Sequence, residues 1–395
     1  MKGIRMLAQL ICKDRNHKEM DELYQVLGAL CEREGIQIED RGDRVEILVC
    51  PQGKIVVTEE DKTMILTANT RHAGAGFHAF VIELYDALQE ELPGEYEVID
   101  DLEYVNDGDF HRLHHIYENE LDYVKNMILT DPEFRDRNYL YDETYYLPMN
   151  RDDQVLTSTG AMDKSKFIKA DPHDLMDHFY VWNDWDRDAR FYRNAALTLL
   201  AKEGRGLYAA MNDETRKISN EIVDYLEIAH KMDQDLPLPI HQYEELVKVL
   251  GRDNKLKDAT AMPEEAAEYR IRDVYHLFED ARVVAPGTAE RSYDPVTSSI
   301  NLMAPYNEEG QWSWLIQASK KPEILPEYEK LVKEPPIEAD GKTVWMEDFT
   351  EDGIPTVDAV ILQDDQYLYL HCVAAEQKYI PFLRDCIMKS GFFRQ

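Results

Sequence analysis

Apolar residues recur along this chain with two different periods, and the switch between them decides the fold class. Towards both ends, the runs 45–50, 54–58 and 64–69, and again 356–362 and 367–373, are short, rich in β-branched residues and bounded by turn formers, as strands are. Between about 110 and 250 apolar residues return every three or four positions, the spacing of helices with one face on a core. Such a chain is expected to be α+β: an N-terminal antiparallel sheet with helices, a helical middle, and a C-terminal mixed β-rich region ending in a hairpin and helix.

The finer pattern follows the same logic. Met20, Leu23, Leu27 and Leu30 predict a helix over 17–34, with Gly35 as its C-cap. The short links Pro51-Gln52-Gly53 and 59–62 predict an antiparallel meander, followed by a helix over 77–92, closed by Pro93-Gly94, and a strand over 96–99. Helices are expected at 110–129, from Pro172 with Asp171 as cap, at 186–203, from Asp213, and at 241–250. Residues 135–170 read as an irregular excursion and 324–333 as a proline-containing helix. At 395 residues the chain exceeds one ordinary domain. The expected division is 1–105, 106–251 and 263–395, with the polar stretch 252–262 as linker. A β-hairpin running into an amphipathic helix occurs near both ends, an arrangement common enough without any duplication.

Charge narrows the partners. Asp and Glu outnumber Lys and Arg by 78 to 44, and in every part of the chain: 22 to 11 over residues 1–105, 31 to 20 over 106–260, and 25 to 13 over 261–395. Nucleic-acid binding draws on lysines and arginines placed against phosphates. This balance predicts no nucleic-acid partner and attraction to basic proteins. The five cysteines, Cys12, Cys31, Cys50, Cys372 and Cys386, form no Cys-x-x-Cys pair, which suits a reducing compartment. The apolar run from Met6 to Cys12 is too short for a signal peptide, and no stretch reaches the roughly 20 apolar residues of a membrane span. The expectation is a cytoplasmic protein without a membrane partner.

Three constellations could carry chemistry. In the first, Arg71, Gly74 and Gly76 lie in a loop between a strand and a helix. Backbone N–H groups at a helix start attract anions, although the Lys-Ser/Thr of a phosphate loop is missing and His78 is expected on the helix flank. The second is His111, His115 and Glu118, which share one face of the 110–129 helix. An imidazole pair with a carboxylate one turn on can chelate a divalent metal, given a ligand from another element, for which His173, Asp174, Asp177 and His178 are candidates. The third is the tract 177–192, where Phe179, Tyr180, Trp182 and Trp185 alternate with Asp184 and Asp186. Aromatic anchors among carboxylates suit a binding surface for a basic partner. No nucleophile elbow, His-Glu-x-x-His, EF-hand or kinase signature occurs.

Two functions are therefore expected to compete. One is a non-catalytic protein-binding protein, of immunity or regulatory type, that meets a basic partner through its acidic surface and needs no cofactor. The other is a metal-assisted hydrolase built on the His/Glu helix. No motif speaks to oligomeric state.

Overall fold

The computed structural model describes residues 5–131, 154–202, 213–263, 273–278, 280–287, 289–304 and 311–392. The architecture is α+β, and the chain divides into two compact units. Among the described residues the first takes 5–131, 154–202 and 221–263, and the second takes 213–220 and those from 273 onward.

A six-stranded antiparallel sheet forms the base of the first unit. Strands β1 (Leu7–Cys12), β2 (Gln37–Asp40), β3 (Val45–Cys50), β4 (Gly53–Glu60), β5 (Thr63–Asn69) and β6 (Tyr96–Asp100) lie in the order β2-β3-β4-β5-β1-β6. The meander and β6 stand where the sequence pattern puts them. Two strands do not: β2 is mostly exposed and carries no apolar alternation, while β1 buries Ala8, Leu10 and Cys12 between β5 and the edge strand β6. An apolar run inside a sheet looks the same in sequence as any other apolar run.

Helices α1 (His17–Arg33) and α2 (Ala75–Glu91) cover one face, so that Leu23, Leu27, Tyr85 and Leu88 share a core with Leu10 and Leu66. A capping box starts α1: Asn16 Oδ1 accepts from the Glu19 N–H at 3.2 Å, and the Glu19 carboxylate accepts from the Asn16 N–H at 2.8 Å. The first half of α2 is buried nearly all round, because further helices pack on its outer side. After the short α3 (Tyr104–Asp107) comes α4 (Phe110–Thr130), which buries Leu113, Tyr117, Leu121 and Val124. The described part of the expected excursion holds a hairpin, β7 (Gln154–Thr157) with β8 (Gly160–Asp163), and a helix, α5 (Lys164–Lys169). Four-residue strands leave too little periodicity to read. Then come α6 (Pro172–Phe179), capped by Asp171, α7 (Ala189–Lys202), α8 (Asp213–Met232) and α9 (Ile240–Leu250), which ends at Gly251 with φ 68.

One core runs from Leu10 through Leu113 to Phe191, so residues on both sides of position 105 share it. The polar stretch 252–262 is tied down within the same unit. Arg252 pairs with Asp224 and Glu227, Lys255 pairs with Glu227, and Leu256 is buried.

In the second unit a seven-stranded antiparallel sheet has the order β11-β12-β13-β17-β16-β15-β14. Its strands are β11 (Glu290–Asp294), β12 (Ser299–Met303), β13 (Trp314–Lys321), β14 (Ile337–Ala339), β15 (Lys342–Glu351), β16 (Ile354–Gln363) and β17 (Gln366–Ala374). A smaller sheet, β9 (Asp273–Phe278), β10 (Ala281–Pro286) and β18 (Gly391–Phe392), packs with helix α10 (Ile380–Lys389) on one face of the larger one, joining Val283, Leu383 and Ile387 to Ile316, Ala359 and Leu370. The expected helix at 324–333 is instead two 3-10 turns, Pro326–Tyr328 and Leu331–Lys333. Pro326 opens the first of these turns, and Pro335 just beyond the second keeps the chain from continuing as a helix.

Both large sheets share a strand order. A first strand (β1 or β13) is followed by a connection and a four-stranded meander whose last member returns beside the first, and a helix comes next. The layering differs. Helix α1 lies on the same face as α2, whereas the 3-10 turns pack Leu331 onto Val360 and Tyr369, the face opposite α10. Strand order alone is a weak sign of duplication, since hairpin-plus-helix units recur in many folds. No described helix is long and apolar enough to cross a membrane.

Candidate metal centre

Helix α4 carries His114 and Glu118 four residues apart, so both lie on the flank that meets α6. Pro172 at the first turn and the Asp171 cap, whose carboxylate accepts the His173 N–H at 3.0 Å, start α6 where His173 faces Glu118. His173 Nδ1 lies 3.3 Å from Glu118 Oε1, and His115 Nδ1 lies 3.0 Å from Glu118 Oε2. The His114 and His173 rings are 5.6 Å apart between centres. One ligand atom each from His114, Glu118 and His173 falls within 4.8 Å of the others. A tetrahedral zinc ion with bonds near 2.1 Å sets its ligand atoms about 3.4 Å apart.

Of the sequence-derived set, Glu118 is at the centre and His115 holds its second oxygen, an outer contact of the kind that orients a ligating carboxylate. His111 is exposed one turn before His114 and does not converge with the others. Helical arithmetic allows either neighbour of Glu118, at i−3 or at i−4, to face it. The side on which α6 packs decides for His114. Burial first, and then the charges of His173 and His111, hold the His114 imidazole below the usual histidine value, against the opposing pull of Glu118 and Asp184. A neutral imidazole is the form that binds metal. His173 remains 66% exposed, so the three-residue set opens to solvent on one side.

The other two constellations meet each other. The Trp182 N–H donates to the Ala73 carbonyl at 2.8 Å, and the Gly76 N–H donates to the Trp182 carbonyl at 3.0 Å. Gly74 has φ 113, and a Cβ at Gly76 would lie 2.2 Å from the Asp184 carbonyl oxygen. These glycines therefore let the 182–184 backbone approach, and an N–H that could have met an anion is taken by protein. Arg71 is ion-paired with the buried Glu120. Phe179, Tyr180 and Trp182 are interior, at 0%, 0% and 3% exposed. As docking anchors they are corrected: a ring in the core cannot meet a partner. Trp185, Asp184 and Asp186 stay at the surface.

Sequence reasoning misses a buried relay beside this junction. His78 is fully buried, not on a flank, with Nε2 3.1 Å from Asp100 Oδ1 and Nδ1 2.9 Å from Thr70 Oγ1. The Tyr117 hydroxyl donates to Thr70 Oγ1 at 2.9 Å. Burial raises the Asp100 carboxyl, but His78 and the N–H groups of Val105 and Leu102 outweigh it and hold the group below the usual carboxylate value. The order carboxylate–imidazole–hydroxyl is that of a nucleophilic triad, yet His78 and Thr70 are both 0% exposed. The relay fastens the sheet to α2 and α4. No signal in the sequence links positions 70, 78, 100 and 117.

No protein family, curated protein or solved structure matches the chain.

Proposed function

We propose that this protein binds a divalent transition-metal ion through His114, Glu118 and His173 and uses it for metal-assisted hydrolysis. The observation that supports this is the convergence of imidazoles from two helices on one carboxylate. Imidazole and carboxylate donors suit zinc, manganese, iron or nickel. Three protein ligands with a solvent-facing side match the open arrangement of catalytic metal sites. The metal would supply a bound water of lowered pKa, a nucleophile near neutral pH. His114 and His173 hold opposite sides of the site, Glu118 supplies the negative charge, and His115 keeps that carboxylate oriented.

Zinc titration by calorimetry, with elemental analysis of the purified chain, tests the reading. Stoichiometric binding is expected in the wild type, with a loss of at least about tenfold in His114→Ala and His173→Ala and a smaller loss in His115→Ala. Wild-type protein that takes up no zinc, manganese, iron or nickel would sink it.

A second reading, a binding-only immunity or regulatory protein for a basic partner, is favoured by the exposed Trp185 among carboxylates. It predicts a salt-sensitive complex that is indifferent to His114→Ala.

A further inference from the structure

The candidate metal centre continues on one side into a line of aromatic rings. Phe110 lies 6.3 Å from His114 between ring centres, and Trp185 stands edge-to-face to Phe110 at 5.5 Å and to Tyr104 at 6.5 Å. Despite this packing Trp185 is 47% exposed. Asp184 and Asp186 flank it at the surface, and Asp107 and Asp109 are exposed on the approach to α4.

The carboxylates here outnumber the cations able to neutralise them. Burial and then Asp186, Asp86 and Glu34 push the Glu83 carboxyl up, and burial and then Asp184 and Asp177 push up Asp188. The nearby guanidiniums are engaged: Arg112 bonds Asp107 at 2.8 Å, Arg190 bonds Asp177 at 3.2 Å, and Arg187 lies over the Trp182 ring at 4.9 Å. An open indole set in net negative potential favours a cation, because the ring face carries negative charge and the carboxylates steer the encounter. The same field repels phosphate esters and nucleic acids.

We propose that Trp185, Asp184 and Asp186 form a subsite for a lysine or arginine side chain, so that the molecule presented to the metal centre is a basic peptide or a basic segment of a protein. The substrate role rests on the metal reading above; the cation subsite stands on its own observations.

Calorimetric titration of the full chain with tetralysine, tetraglutamate and tetraglycine, in EDTA-treated and zinc-loaded protein, separates the two claims. Tetralysine is expected to bind in both states, more weakly at high salt, while the other peptides do not bind. Trp185→Ala should weaken tetralysine binding about tenfold, with a smaller loss in Trp185→Phe. The double variant Asp184→Asn/Asp186→Asn, exposed and so tolerant of change, should weaken it comparably. Unchanged affinity in Trp185→Ala and in the double variant overturns the subsite, as does equal binding of tetraglycine. Trp185-dependent tetralysine binding in a protein that takes up no metal supports the subsite and overturns the metal reading alone.

Discussion

Gly76 shows how much one absent side chain can hold in place. A methyl group there would sit 2.2 Å from both the Asp184 carbonyl oxygen and the Trp182 ring, and backbone cannot yield as a flexible side chain can. Gly76→Ala is expected to cost about 3 kcal/mol, the upper range for overpacking, read as a lower urea midpoint; an unchanged midpoint would mean that the 182–184 segment is not seated on α2. His276 offers a test through acid. It is buried, its Nε2 lies 3.1 Å from the Pro286 carbonyl oxygen, and burial pushes its pKa from 6.5 down to about 4. The folded state therefore prefers the neutral ring. The stability that depends on this neutrality is complete above pH 6.5 and drains away as pH falls towards 4. Over that interval the wild type should lose about 3 kcal/mol relative to His276→Gln, which cannot titrate. Parallel pH curves for the two proteins would refute this.

The elements of the second sheet are joined by turns with a regular spacing. Asp340-Gly341, Asp352-Gly353 and Asp364-Asp365 each place two consecutive residues at positive φ, the requirement of a two-residue hairpin turn whose twist matches its strands. Two of the three have glycine second. The third has Asp365 at φ 60, where an L side chain is strained. Asp365→Gly is expected to stabilise the protein by about 1 kcal/mol, seen as a raised melting temperature; a fall would show that the aspartate makes a contact worth more than the strain. This turn is legible in sequence because it lies between two apolar, strand-like runs. The candidate centre was legible in part for a similar local reason: Glu118 and its histidines share one helix, and α6 announces itself through Asp171-Pro172. The choice of His114 over His111 and His115, and the inward placement of Phe179, Tyr180 and Trp182, depend on which sides of the helices pack together. Periodicity within one element carries no such information.

At the scale of the molecule, the α+β class, the N-terminal meander and the closing hairpin and helix all follow from the change of period along the chain. Among the strands that escape notice, β1 is an apolar run, β2, β7, β8 and β14 are three or four residues long and too short to alternate, and the second half of β15 is exposed. The buried relay of Asp100, His78, Thr70 and Tyr117 escapes for a different reason, since four polar residues far apart in sequence become one unit only after folding. The twelve-residue rhythm of Asp340, Asp352 and Asp364 also bears on the order of assembly. Strands β14 to β17 can zip together from neighbours, each closure spanning only a few residues and so costing little chain entropy. Strand β13 has to find β17 across the whole meander, with Trp314 opposite Ala374. The second unit should therefore build outwards from a locally nucleated ribbon, and the pairing of β13 marks the moment at which its sheet becomes non-local.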